Sequence, residues 1–398
     1  MGYPSGREVA VDERPSNRVS GNHAMIESLQ IEGFRAFQNF SLSGLGRINL
    51  IVGENNSGKT SVLEAVQLVA SRGDLLALSS ITGRRGERFW NDSERTSRSE
   101  IDVGHLFHGH DFQPGANLRI VATGGTFAGQ LEIKVVPFAR NQPTLFEESA
   151  DVSLDPESRF PLAALSLTAT GQAVPNREPV TLPISSRGGM PLDYVRRSRL
   201  VVGETAEIEF VATEGLRVED LVQRFEAVAA NPEEELVYKA LQCIEPDIER
   251  LVTVSNDIRR GSPSGRGAFH AKLKNVANRI PLGVMGDGMW RMLALVLTLV
   301  RARNGILLID EIDTGLHHSV LRRMWKLINE AGAPDKLNVQ VFATTHSDDC
   351  IKALSSICED NPTAHNVSIQ RVERNATNSV AIKENVVISV AEQDIEVR

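Results

Sequence analysis

Three short stretches of the sequence hold side chains whose types and spacing can do chemistry. The first is Gly53–Thr60, GENNSGKT, which has the spacing G-x-x-x-x-G-K-[ST]. It follows a short apolar run, RINLIVG, and opens a helical pattern, SVLEAVQLVAS. In that setting the segment Gly53, Glu54, Asn55, Asn56, Ser57 and Gly58 can curl so that its N–H groups converge on phosphate oxygens. The helix that starts there adds its positive end. Lys59 can reach the outer phosphates, and Thr60 offers a hydroxyl to Mg²⁺.

The second stretch is GILLIDEID, Gly305–Asp313, an apolar strand that ends on two carboxylates. α/β sheets bind their ligands at the carboxyl ends of such strands. Asp310 suits the shell of a Mg²⁺ ion, and Glu311 suits a group that orients or deprotonates an attacking water. The third is VQVFATTHS, Val339–Ser347, a second buried strand that ends on His346, a donor able to reach a γ-phosphate. A fourth stretch, LGVMGDGMWR, holds no metal ligand set and no nucleophile. Its Gly286, Asp287 and Gly288 stand just ahead of a long apolar helix, so they are a turn or an anion-facing loop.

These residues need a scaffold of alternating elements. The pattern predicts helix at 290–303, strand at 306–309, helix at 319–331 and strand at 339–343. Helices alternating with apolar strands imply a parallel α/β sheet. Further strands are expected in NLRIVATG, QLEIKVVPF and AEIEFVAT, and amphipathic helices in RVEDLVQRFEAVAA and PEEELVYKALQCI. Residues 141–191, rich in Pro, Ser, Gly and Thr, read as loops with short strands.

Composition narrows the classes. The 398 residues are 41% hydrophobic and 24% charged, with a net charge of -8, as in ordinary globular proteins rather than generic polyanion binders. The apolar run near Leu293–Val300 is too short to cross a bilayer. Three scattered cysteines, Cys243, Cys350 and Cys358, predict free thiols and no structural zinc. No secretory signal is visible, so the cytoplasm is the expected location and no membrane partner is expected.

Taken together, GFRAF, GENNSGKT, GVMGDGMWRMLALVL, LLIDEIDTGLHHS and VQVFATTHS resemble the ABC-type ATPases that include the SMC, RecF and OLD-like proteins. Within that group the chain most resembles the OLD-like AAA ATPases, often found in bacterial anti-phage defence modules. The resemblance implies an α/β P-loop NTPase of ABC-ATPase type, with a mixed or parallel sheet and an inserted α+β or helical subdomain. It implies ATP and Mg²⁺ as cofactors. It also implies a head-to-tail pair, or larger oligomer, in which Gly286, Asp287 and Gly288 of one subunit face the phosphate loop of another. Arg35 falls where related enzymes place an arginine near the phosphates; a surface residue beside a strand is the alternative.

Departures accompany the likeness. Val284-Met285 stands where a serine is usual, His317 where an aspartate is usual, and only Gln113 offers itself as the glutamine of a Q-loop. His317 and His318, adjacent on a helix, cap or pack it rather than bind metal. About fifty residues follow His346, too few for the TOPRIM nuclease domain of OLD nucleases. The expected organisation is an extension at 1–24, the first part of the ATPase core at 25–130, an inserted subdomain at 131–280 and the rest of the core at 281–398. Arg259–Arg279 carries six Lys or Arg and no acid, which suits either a nucleic-acid or partner contact or a solvated loop. Three functions fit: a nucleotide-dependent switch for a separate effector, which could be a nuclease, in phage defence; a RecF-like clamp on duplex DNA; and a scaffold that binds ATP with little turnover.

Overall fold

The computed structural model describes residues 25–91, 98–110, 112–138, 163–171, 179–185, 188–198, 207–254, 267–360 and 367–383. The expected extension at 1–24, residues 259–266 of the basic segment and the end of the chain from 384 lie outside the described residues.

The central sheet has the order β11 (Ile208–Val211), β15 (Ile306–Ile309), β16 (Gln340–Thr344), β3 (Ile48–Val52), β17 (Val367–Arg371) and β18 (Val380–Lys383). The first five run parallel and β18 returns antiparallel. The three strands that feed the site, β15, β16 and β3, are buried along their whole length. This is why their sequences read as apolar runs and not as alternations. Successive residues still face opposite sides: Leu50, Leu307 and Val341 join one core, while Ile51, Leu308 and Phe342 join the other.

The two cores belong to two different covers. On one face lie α4 (Val218–Val228), α5 (Glu234–Gln242), α6 (Asp287–Arg301), α7 (His318–Ala331) and α8 (Asp348–Asp360). On the other, α1 (Lys59–Ala70) is sandwiched between the central sheet and a second, antiparallel sheet. That sheet has the order β2 (Phe37–Ser43), β1 (Ser28–Phe34), β6 (Asn117–Thr123), β7 (Gly129–Pro137), β8 (Ala163–Gly171) and β9 (Val180–Ile184). Backbone bonds from Ser41 N to Thr377 O and from Ser379 N to Ser41 O, both 2.9 Å, clip β2 to the turn before β18.

Smaller sheets complete the fold. One has the order β10 (Gly189–Pro191), β5 (Arg98–Asp102), β4 (Arg88–Asn91), beside α2 (Leu75–Arg84) and α3 (Leu192–Ser198). The other is β12 (Ile248–Thr253), β13 (Phe269–Leu273), β14 (Ile280–Pro281). Two placements differ from the sequence expectation. β11, inside the segment expected as an insertion, pairs along β15 as the edge of the central sheet. The stretch expected as loops with short strands contains the whole of the nine-residue β8, whose partners in β7 and β9 supply its register. Both differences come from long-range pairing, to which local composition is blind.

Candidate functional site

The phosphate loop leaves β3 and enters α1 under tight restraint. Gly53 has φ 145, and a Cβ there would lie 2.2 Å from the Val372 carbonyl oxygen. Gly58 has φ 104, and a Cβ would lie 2.5 Å from the Phe37 ring. Both positions combine a left-handed backbone with a wall, so only glycine fits. Asn56 between them takes φ 61, a conformation that Asn tolerates better than most residues. Lys59 folds back across the loop: its Nζ donates to the carbonyls of Gly53 at 2.9 Å and Glu54 at 2.7 Å. It also lies 3.4 Å from His346 Nδ1. Burial pulls the Lys59 pKa below its ordinary value, and the nearby carboxylates of Asp310 and Glu311 oppose that shift.

Three strand ends meet here. Thr60 Oγ1 sits 3.2 Å from both carboxylate oxygens of Asp310, and Thr344 Oγ1 donates to Asp310 Oδ1 at 2.7 Å. A hydroxyl and a carboxylate in contact are the hard oxygen donors that a small divalent cation takes. Glu311 is half exposed, and its Oε1 lies 3.9 Å from His346 Nε2. Thr314 Oγ1 donates to Glu311 Oε2 at 3.1 Å. Beside these residues opens a cavity of about 580 Å³, lined by Val52, Gly53, Glu54, Asn55, Thr345, His346 and Ile351. Residues far apart in the chain thus form one polar site around a cation-ready pair, a lysine and a histidine.

The glycine loop is built differently. A short 3₁₀ turn, Leu282–Met285, carries Val284 at 75% exposure and leads to Gly286. Gly286 has φ 95, and a Cβ there would meet nothing within 4 Å. The next residue, Asp287, begins α6. Gly288 is close-packed: a Cβ would lie 2.9 Å from the Gly315 carbonyl oxygen, in the loop after the Asp-Glu strand.

Among the expected nucleotide contacts, Arg35 is already committed. Its Nε is 2.6 Å from Glu64 Oε2, and its Nη1 and Nη2 donate to Glu87 at 2.7 and 3.0 Å. The cause is α1, which is buried nearly all round and so places Glu64 in the interior at 1% exposure. A carboxylate there requires counter-charge, which Arg35 and Arg85 supply. Gln113 lies in the turn before β6. His317 Nδ1 accepts from the Ser319 backbone N–H at the start of α7, so this histidine caps the helix. Among the described residues, no group of three or more His, Cys, Asp or Glu could hold a metal, and the three cysteines are buried thiols outside any disulfide.

Sequence reasoning passed over two contributors. Thr344 binds both Asp310 and the Glu311 N–H. Arg291 reaches the carbonyls of Asp310 and Glu311. A visible signal existed for the second: a lone arginine inside the apolar run MWRMLALVLTLV.

Comparison with known proteins finds ATPase domains over two segments of the chain. A family model described as an AAA ATPase domain matches residues 25–111. A second, described as "AAA domain, putative AbiEii toxin, Type IV TA system", matches residues 206–349. A protein of Helicobacter pylori named "ATP/GTP phosphatase" is 24% identical over 359 residues, covering 87% of this chain and 91% of the relative. An uncharacterized protein of Methanocaldococcus jannaschii, MJECL10, is 33% identical over 114 residues, 27% of this chain and 51% of that one. The SMC head domain from Thermotoga maritima aligns over 90% of this chain and 98% of its own, at 12% identity and a TM-score of 0.43. The fold is α/β, with the phosphate loop between a parallel strand of the central sheet and a helix, and the chain is an ATPase. Its phosphate loop lies in one matched segment, and its glycine loop, Asp-Glu strand and His346 lie in the other.

Proposed function

We propose that the chain binds ATP with Mg²⁺, hydrolyses it, and uses the cycle to switch its association with a second copy and with a separate effector. Lys59 and the N–H groups of Gly53–Thr60 hold the phosphates, and Thr60 and Asp310 hold the cation. Glu311 orients the attacking water, and His346, between Lys59 and Glu311, contacts the γ-phosphate. The observation that carries the reading is this convergence of Lys59, Thr60, Asp310, Glu311 and His346 beside one cavity.

The glycine loop supports the association step. Gly286, Asp287 and Gly288 sit at the N-terminus of a 15-residue helix, with Gly286 in open space and Val284 exposed beside it. A helix end of this kind suits the γ-phosphate of a nucleotide held by a second copy. A role in bacterial anti-phage defence draws support from the resemblance to OLD-like ATPases and from the toxin–antitoxin description of the matched model. Only a nucleotide state that binds the effector differently can drive such a switch.

Glu311→Gln tests the reading. ATP turnover is expected to fall by about 10²–10⁴-fold, the usual range for loss of a proton-transfer group, with ATP still bound and a dimer visible by light scattering. Wild-type turnover in this variant sinks the assignment. Salt-dependent binding of duplex DNA by the wild-type protein alone would favour a clamp instead.

A further inference from the structure

Arg291 lies one helical turn beyond Asp287 on α6 and is only 6% exposed. A buried arginine ordinarily meets a carboxylate. This one is spent on three backbone carbonyls. Nη1 donates to Ala212 O at 2.6 Å, and Nη2 donates to Asp310 O at 2.7 Å and to Glu311 O at 2.8 Å. Its Nε is buried with no hydrogen-bond partner among the described residues.

The third acceptor matters most, because Glu311 has φ 48. Cβ sterics disfavour that left-handed conformation for any residue but glycine. It persists only where the surroundings over-determine it. Here the Glu311 peptide is gripped on both sides. Its N–H donates to Thr344 Oγ1 at 2.8 Å, from β16, and its carbonyl accepts from Arg291, from α6. The same helix touches the Asp-Glu loop a second time, where Gly288 packs against the Gly315 carbonyl. The glycine loop and the carboxylate are therefore joined within one chain at two points.

We infer that Arg291 is a positioning residue for hydrolysis. It holds the Glu311 peptide in its left-handed conformation, and it ties the direction of that carboxylate to α6 and the Gly286–Gly288 loop. Engagement of the loop from outside is then felt at the chain's own Glu311. The inference rests on Glu311 as the water-orienting group. A purely structural arginine would affect stability and leave the chemical step alone.

The test compares Arg291→Lys, Arg291→Met and Glu311→Gln in steady-state ATP hydrolysis, in equilibrium titration with a fluorescent ATP analogue, and in thermal melting. Arg291→Lys keeps a cation in the pocket but cannot span the three carbonyls. It is expected to melt close to wild type and to bind nucleotide within about twofold of wild type, with kcat reduced about tenfold or more. A fall in kcat at constant KM marks an interaction made in the transition state. If Arg291→Met fails to fold, the lysine variant carries the test alone. Wild-type kcat in Arg291→Lys overturns the inference, as does a fall matched by lost folded protein or lost affinity. The link to the loop is read by a double-mutant cycle with Gly288→Ala: the combined loss should fall short of the product of the single losses. Fully multiplicative losses cut that link. If Glu311→Gln turns over normally, the Glu311 assignment fails and Arg291 falls with it. If Glu311→Gln is inactive while Arg291→Lys is normal, only the Arg291 inference fails.

Discussion

The two glycine-bearing loops of the chain are finished to different degrees. The phosphate loop is walled within its own chain: Val372 closes on Gly53, Phe37 closes on Gly58, and Lys59 is tied down to carbonyls of the loop. Behind it, α1 is buried on every side, with Glu64 neutralised by Arg35 and Arg85. The Gly286–Gly288 loop is walled on one side only. Gly288 meets Gly315, while Gly286 and Val284 face open space. One loop is closed within its own chain. The other has a packed base and an exposed tip, the shape that the proposed contact with a second copy requires.

The largest effect that could break this contrast lies behind the phosphate loop. Glu64→Ala would leave Arg35 and Arg85 without their shared carboxylate. Arg35 is buried, so urea unfolding should show a loss of about 3–5 kcal/mol, the usual cost of removing one partner of a buried pair. A loss below about 1 kcal/mol would mean that the region is not locked by charge. Next is Gly58→Ala, which forces a Cβ toward the Phe37 ring at a left-handed backbone. The expected cost is about 1–3 kcal/mol, with nucleotide affinity reduced at the same time. Stability equal to wild type would show that the loop can open to admit the methyl group. The smallest effect on folding belongs to the free tip. Val284→Ser should change stability by less than about 0.5 kcal/mol, because the side chain is exposed. ATP-dependent association measured by light scattering should nonetheless weaken. Val284 is a cleaner probe than Gly288→Arg, whose side chain would first collide with Gly315 of the same chain. Association as strong as wild type in Val284→Ser would mean that the tip is not a contact surface.

Legibility in the sequence followed the range of the interactions involved. Gly53–Thr60 could be read directly because its residues act within one loop and one helix start. β15, β16 and α7 were readable because burial on both faces, or on one helical face, imposes a local pattern. The commitment of Arg35 could not be read, since Glu64 and Glu87 lie 29 and 52 positions away and are brought there by packing around α1. Nor could the partners of Arg291: Ala212 is 79 positions distant, on the chain that leaves β11. The edge position of β11 itself depends on pairing with β15, almost a hundred residues later.

The sequence by itself determined the chemistry on offer. It supplied a phosphate-binding loop, a carboxylate pair at a strand end, a histidine at another, and two loops that need glycine. Periodicity and side-chain type are local quantities, and those features are local. The tertiary structure alone decided which of these groups share a site, that Arg35 is held by internal carboxylates, and that Glu311 sits in a left-handed conformation between Thr344 and Arg291. Those outcomes depend on where desolvated charges and buried carbonyls find partners, and the partners come together only when the sheets and helices pack.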